Sequence, residues 1–435
     1  MSSKEVKMSS IGENGDDRLS GLPEDTISHI LSLMPTKYAV RTSILSKRWR
    51  YSWMLVTNLD FDDIHPFHSK IVLSKFVDRV MENCKSPQLR SLRLHFSSKR
   101  VKRASVSSWI DKAVRLNVSE LDIQVLIFKL PLSLFTCKTL TKLRIDDGNL
   151  NSRVWECPCP VNLPCLKTLD IAVHDNPFVN AFGLIRGCPI LESLSLEVSI
   201  DKEEEGYYIF NNIPTLKRLK LILERVFFSV TKKAVLNLPN LEYLFVSDSL
   251  GSLFVVEDLP SLVEASVSSY HMCLEFLKGI SGVKSLSIDT FTFIPALPMF
   301  PNIKHLRFTS FWYSGQVLQF LESCPELKHL CIEELTGEHW IEPNLVPACM
   351  LTTLTTIKIS SCKGREPEIE FLEYMLRNAK VLRTVTISWE IYQIEEKRLC
   401  AKLLELPRAS RYCEIHFIGS RYHSASGYLD CEIHV

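Results

Sequence analysis

The run "ECPCPVNLPC" (156–165) brings Cys157, Cys159 and Cys165 close together, and gathered thiols are the first place to look for chemistry. A structural zinc needs four ligands, usually two Cys pairs or Cys paired with His. Here the C-x-C spacing has no second pair, two prolines interrupt the run, and His174 stands alone downstream as a surface histidine in a loop. No metal site and no cofactor is therefore expected. The sequence has no G-x-x-x-x-G-K-[ST], no H-E-x-x-H and no G-x-S-x-G, so the phosphate, metalloprotease and serine-hydrolase motifs are missing. Ser, His and Asp occur in no arrangement that would activate a nucleophile. No catalytic residue is nominated, and a binding protein is the better reading than an enzyme.

"SSKRVKR" (97–103) is a small basic cluster, open to reading as a nuclear import signal, a weak phosphate contact or a solvated loop. The whole chain carries a formal net charge of only +1, which gives no general attraction to nucleic acid or acidic membrane. Neither is expected as a partner. There are 14 cysteines, yet residues 1–18 are polar and charged, without the apolar centre of a signal peptide. Free thiols in a reducing compartment follow, and the expected location is intracellular, in cytoplasm, nucleus or both. No run of 18 apolar residues suggests a membrane helix.

A chain of 435 residues exceeds one ordinary domain, and an elongated repeat array is the usual way past that limit. "LPCLKTLDI" (163–171), "CPILESLSL" (188–196), "IPTLKRLKL" (213–221) and "LPNLEYLFV" (238–246) align without gaps, their leading Leu166, Leu191, Leu216 and Leu241 spaced 25 apart. Looser copies begin at Leu89, Val118, Leu140, Leu262, Val283, Ile303, Leu327, Leu354 and Leu382. In each unit the last two apolar residues, such as Leu169 and Ile171, alternate as in a strand and point into a core. Stacked units would make a parallel sheet, with each chain returning through a helix or an irregular segment; "VNAFGLIRGCP" (179–189) reads as a short helix ending near Gly187. An ordinary parallel α/β fold is the alternative, and it leaves the 25-residue spacing unexplained. The repeats resemble irregular plant-type leucine-rich repeats.

The residues flanking the inward pairs would project from the concave face. They include Thr168 and Asp170, Arg218 and Lys220, Tyr243 and Phe245, and His305 and Arg307. Arg218, Lys220, Tyr243, Phe245, His305 and Arg307 are the candidates for holding a target, since an aromatic-plus-basic patch suits a peptide with an acidic element.

"LPEDTISHILSLMPTKYAVRTSILSKRWRYSWMLVTNLDF" (22–61) does not fit the repeat. Pro23, Glu24 and Asp25 suit the start of a helix, Ile27, Ile30 and Leu31 share a face, and Pro35 ends it. A second helical turn leads to a third segment in which Leu45, Trp49 and Trp53 fall four apart on one face. Three such helices leave apolar area uncovered.

This run closely resembles an F-box, with the Leu-Pro-x-Asp opening and the Ser-Lys-Arg-Trp signature both present. The resemblance implies docking on a Skp-type adaptor and, through it, a cullin–RING complex. Carried over by position, Leu22, Pro23, Ile27, Ile30, Leu31, Val40, Leu45 and Trp49 are the expected adaptor contacts or their support. Leu22, Pro23 and Trp49 are favoured at the interface. The C-terminal segment, with a helix opening at Pro367 and "LPRAS-x-x-C-x-I-x-F" further on, resembles an FBD, although Cys362 stands where that family often has an aromatic residue.

The expected fold is α/β: a short three-helix F-box, an irregular leucine-rich-repeat solenoid and a C-terminal α/β FBD cap. The expected domains are a disordered tail (1–17), the F-box (18–62), the solenoid (63–353) and the FBD (354–435). The resemblance implies a non-catalytic substrate-recognition subunit of a Skp–cullin–F-box ubiquitin ligase. A small-molecule-sensing F-box receptor and an F-box scaffold outside a ligase are the alternatives.

Overall fold

Two prolines punctuate the N-terminal segment and set its helices. The computed structural model describes residues 21–63, 70–96, 101–125, 130–146, 160–174, 178–200, 207–211, 213–225, 233–248, 253–269, 274–289, 296–337, 339–389 and 393–418. The chain divides into two compact units, residues 1–168 with 179–188, and 169–178 with 189–435. The tail expected at 1–17 lies outside the described residues.

In the first unit, α1 (Glu24–Ser32) opens at Pro23 and α2 (Thr36–Arg41) opens at Pro35. Glu24 and Asp25 lie in the first turn of α1, where the helix dipole favours negative charge. Beyond α2 the chain breaks into a 3-10 turn at Thr42–Ile44, α3 (Trp49–Ser52) and a second 3-10 turn at Trp53–Leu55. The continuous third helix expected from Leu45, Trp49 and Trp53 is not formed. Thr42 Oγ1 donates to the Ala39 carbonyl at 2.7 Å and Ser46 Oγ accepts from the Trp49 amide at 3.4 Å. Such side-chain bonds to nearby backbone interrupt a helix and start a new one.

The segment then runs into β1 (Asn58–Asp62). The Asp60 amide donates to Thr36 Oγ1 at 2.7 Å and the Thr57 amide to Ser32 Oγ at 3.4 Å, tying strand to helices. After α4 (Lys70–Asn83) come β2 (Ser91–Phe96), α5 (Arg103–Arg115), β3 (Glu120–Val125), β4 (Lys142–Asp146) and α6 (Phe178–Arg186). Strands β1 to β4 pair in parallel and in order, so that Leu59, Leu92, Leu121 and Leu143 stack as one buried row. α6 ends beside Gly187, as expected; a Cβ there would lie 2.4 Å from Val161 Cγ1.

The second unit continues this alternation. Its strands are β5 (Thr168–His174), β6 (Ser193–Ile200), β7 (Tyr207–Phe210), β8 (Arg218–Arg225), β9 (Lys233–Asn237), β10 (Tyr243–Asp248), β11 (Leu253–Asp258) and β12 (Glu264–Ser269). They are followed by α7 (Leu274–Gly279), β13 (Ser285–Asp289), β14 (His305–Tyr313), α8 (Ser314–Ser323), β15 (His329–Thr336) and α9 (Ala348–Thr352). The chain closes with β16 (Thr356–Cys362), α10 (Glu366–Asn378), β17 (Thr384–Trp389), α11 (Gln393–Glu405) and β18 (Glu414–Ile418).

The main sheet of this unit runs β5-β6-β8-β10-β12-β13-β14-β15-β16-β17-β18, and from β6 onward each neighbouring pair is parallel. The skipped strands β7, β9 and β11 form a second sheet, in the order β11-β9-β7. These return segments, expected to be helical or irregular, are extended because they are short runs rich in aromatic and β-branched residues. Phe210, Leu236 and Phe254 are buried there.

The C-terminal segment carries the repeats expected at Leu354 and Leu382, both buried. β16, β17 and β18 extend the same parallel ladder, with Thr356 opposite Thr384 and Thr384 opposite Glu414. It prolongs the repeat, because Ile357 and Ile359, then Val385 and Ile387, keep the inward alternation. Among the described residues no strand lies beyond β18. No described helix is long and apolar enough to cross a membrane.

Candidate binding surfaces

In the first unit the short helices bury Ile27, Leu31, Ala39, Trp49 and Val56. Trp49, favoured at the interface on sequence grounds, is 4% exposed and lies in the core of these helices, as do Ile27 and Leu31. Leu22, Ile30 and Val40 are half-buried and Pro23 is exposed. Leu45 is 62% exposed, and the same segment exposes two residues that the sequence reading missed, its neighbour Ile44 at 84% and Leu33 at 72%. Arg41, Lys47, Arg48 and Arg50 are exposed on the same stretch. The adjacency of Ile44 and Leu45 was the available signal, since a tight turn cannot turn both side chains inward.

The polar face of the first unit's ladder is occupied by its own ion pairs. Arg93 Nη1 donates to Asp60 Oδ1 at 2.8 Å, Arg93 Nη2 lies 2.9 Å from His95 Nδ1, and Arg144 lies 3.7 Å from Asp146. His95 Nε2 is 2.9 Å from Asp122 Oδ1, without the alignment of a hydrogen bond. Burial alone would raise the Asp122 carboxyl, but His95, with Arg144 and Arg93 behind it, holds it below the ordinary carboxylate value.

In the second unit the register sets Tyr243 opposite Arg218 and Phe245 opposite Lys220. Arg218 Cζ lies 4.4 Å from the centre of the Tyr243 ring, and Lys220 Nζ lies 5.3 Å from that of Phe245. Both cations are exposed and both rings half-buried, so each cation covers an aromatic face that attracts it. Burial raises the Tyr243 phenol, and Glu264 adds to this against the pull of Arg218. These four side chains form one group.

His305 and Arg307 lie on β14, separated from β10 by β12 and β13. At about 4.8 Å per strand that is roughly 14 Å away, so the six candidates make two groups. His305 stacks on His329, with ring centres 4.5 Å apart and planes 13° apart. His329 Nδ1 and Thr356 Oγ1 are within 2.6 Å. Burial, then the charges of Lys304 and Lys328, hold the His305 imidazole below its ordinary range, while Glu264 opposes the shift. His329 is lowered by burial, by His305 and by Lys328.

Cys157 and Cys159 lie outside the described residues, as do residues 97–100 of the basic cluster and the His174 side chain. Among the described residues no group of three His, Cys, Asp or Glu side chains is gathered to hold a metal.

Comparison with known families places three matches along the chain. The F-box domain matches residues 19–59, the repeats described as "FBD-associated F-box protein At5g56370, LRR repeats" match 106–254, and the FBD matches 342–387. FBD-associated F-box protein At4g10400 of Arabidopsis thaliana is 31% identical over 418 residues, spanning 92% of this chain and 100% of the relative. FBD-associated F-box protein At3g52670, from the same plant, is 33% identical over 436 residues, spanning 93% and 98%. F-box/FBD/LRR-repeat protein At4g26340, also from Arabidopsis thaliana, is 30% identical over 427 residues, spanning 92% and 100%. With an F-box, leucine-rich repeats and an FBD in this order, the chain belongs to the plant family of F-box/FBD/leucine-rich-repeat proteins.

Proposed function

We propose that this chain is the non-catalytic substrate-recognition subunit of a Skp–cullin–F-box ubiquitin ligase. Its F-box would hold a Skp-type adaptor, and its repeats would hold a target protein for ubiquitination by the partners. The observation that carries the reading is the exposure of Ile44, Leu45 and Leu33 on a segment that matches the F-box domain. Burying a large aliphatic side chain is worth about 1.5–3 kcal/mol, and three of them on one short stretch favour a partner. Leu22, Pro23, Ile30 and Val40 would complete the contact, with Ile27, Leu31 and Trp49 as its core support.

The parallel ladder supports a solenoid whose concave face offers Arg218, Lys220, Tyr243, Phe245, His305 and Arg307 to the target. Free thiols at the described cysteines fit a reducing intracellular setting, in cytoplasm, nucleus or both. Size-exclusion chromatography of the full chain mixed with a Skp-type adaptor and a cullin–RING pair tests the assembly. Co-elution of all components is expected. Elution apart from the adaptor would sink the reading, and co-elution with the adaptor alone would favour the scaffold.

A further inference from the structure

One position recurs immediately before each main-sheet strand from β6 to β17, and its residues are hydrogen-bonded in series. The Lys217 amide donates to the Glu192 carbonyl at 2.9 Å, Glu242 to Lys217 at 2.8 Å, Val263 to Glu242 at 2.9 Å and Lys284 to Val263 at 2.8 Å. The series goes on through Lys304 to Lys284 at 2.8 Å, Lys328 to Lys304 at 3.0 Å, Thr355 to Lys328 at 2.9 Å and Arg383 to Thr355 at 2.8 Å. Along the first half the charges alternate, Glu192, Lys217, Glu242. Along the second half they are of one sign: Lys284, Lys304 and Lys328 are consecutive, and Arg383 follows after Thr355.

All four cations are exposed, and among the described residues none has a carboxylate within ion-pairing distance. Like charges directly opposite one another on neighbouring strands repel. This half of the row therefore works against the fold and becomes favourable when negative charge is laid along it. Arg307 lies on β14, the strand that Lys304 leads into, and adds a further positive charge at the centre of the row.

We propose that the row Lys284–Lys304–Lys328–Arg383, with Arg307 beside it, is a docking surface for an extended acidic segment of a target protein. This rests on the proposed target-binding role of the repeats and gives that role a chemistry. From β13 to β17 the row spans four strand intervals, roughly 19 Å at about 4.8 Å each. A single phosphate cannot cover that length, whereas about six residues of extended chain at about 3.3 Å each can. A polynucleotide is less suited, because the chain as a whole is nearly neutral and offers no general attraction to nucleic acid.

The test uses the full chain and three fluorescein-labelled probes: a peptide of alternating Glu and Ser, its Gln counterpart, and an oligouridylate of equal charge. Anisotropy is measured for the wild type, for K284Q/K304Q/K328Q, and for K75Q/K138Q/K402Q, which removes the same charge from exposed lysines elsewhere. The Glu peptide is expected to bind the wild type most tightly, to lose about tenfold in the row variant and to change less than about twofold in the control, as for three partly screened pairs. Equal losses in the two variants, equal binding of the Gln peptide, or tighter binding of the oligouridylate would each overturn the proposal. Adaptor binding by the same samples separates the outcomes: a chain that holds the adaptor and ignores the Glu peptide loses only this inference.

Discussion

Replacing Trp49 with Ala distinguishes a core support from a surface anchor. Trp49 begins α3, is 4% exposed, and belongs to a small core with Ile27, Leu31, Ala39 and Val56. Truncating a buried Trp costs about 3–5 kcal/mol, for lost burial and the cavity that remains. Since about 1.4 kcal/mol is a factor of ten, local opening of the helical segment should become more frequent by two to three orders of magnitude or more, up to the point where it stays open. Hydrogen exchange of the full chain, read by mass spectrometry over α1, α2 and α3, measures this directly. Exchange should rise over those helices and not over β13 to β17, whereas Leu45→Ala, at a 62% exposed position, should leave it nearly unchanged. Unaltered exchange over α1 to α3 in Trp49→Ala would refute the reasoning and return Trp49 to the surface.

Gly364 has a φ of 72°, and a Cβ there would fall 2.2 Å from Leu399 Cδ1. Gly364→Ala should therefore lower the melting temperature through about 1–2 kcal/mol of backbone strain and a further ~1–3 kcal/mol of overlap; adding Leu399→Ala should recover the second part only. Glu368 is buried at the start of α10, where its Oε2 accepts from the Lys363 and Arg365 amides at 3.0 Å each, and burial outweighs these bonds to raise its carboxyl above the ordinary value. A raised folded-state value means that the group's stabilising contribution is complete below the ordinary carboxylate range and is lost as pH rises through the folded-state value. Glu368→Gln keeps an acceptor and removes the titration, so its melting temperature relative to wild type should be more favourable at pH 7 than at pH 4; a pH-independent difference would count against this account.

The inward half of the ladder was readable because a strand has a period of two. Leu169 and Ile171, Leu194 and Leu196, Leu219 and Leu221 are all buried where the L-x-x-L-x-L spacing put them, and the outward neighbours follow from the same alternation. The cross-strand pairs were less visible: Arg218 and Tyr243 meet only once two units are aligned, 25 residues apart. The basic row was harder still, since Lys284, Lys304 and Lys328 are separated by unequal intervals and no fixed period picks them out.

Return segments such as β9 and β11 are short apolar runs, which periodicity alone cannot divide between helix and strand. In the F-box segment the four-residue spacing of Leu45, Trp49 and Trp53 has meaning only on an unbroken helix. Ser46 breaks it, so one residue of the trio faces solvent and another the core.

Calorimetric titration of a purified Skp-type adaptor into the full chain, into Ile44→Asp and into Leu45→Asp tests the central claim most directly. The wild type should bind. Each variant should lose roughly tenfold to a hundredfold in affinity, as for about 1.5–3 kcal/mol of apolar burial, with unchanged melting because neither side chain supports the core. No heat of binding for the wild type, or equal affinity for all three, would contradict the account.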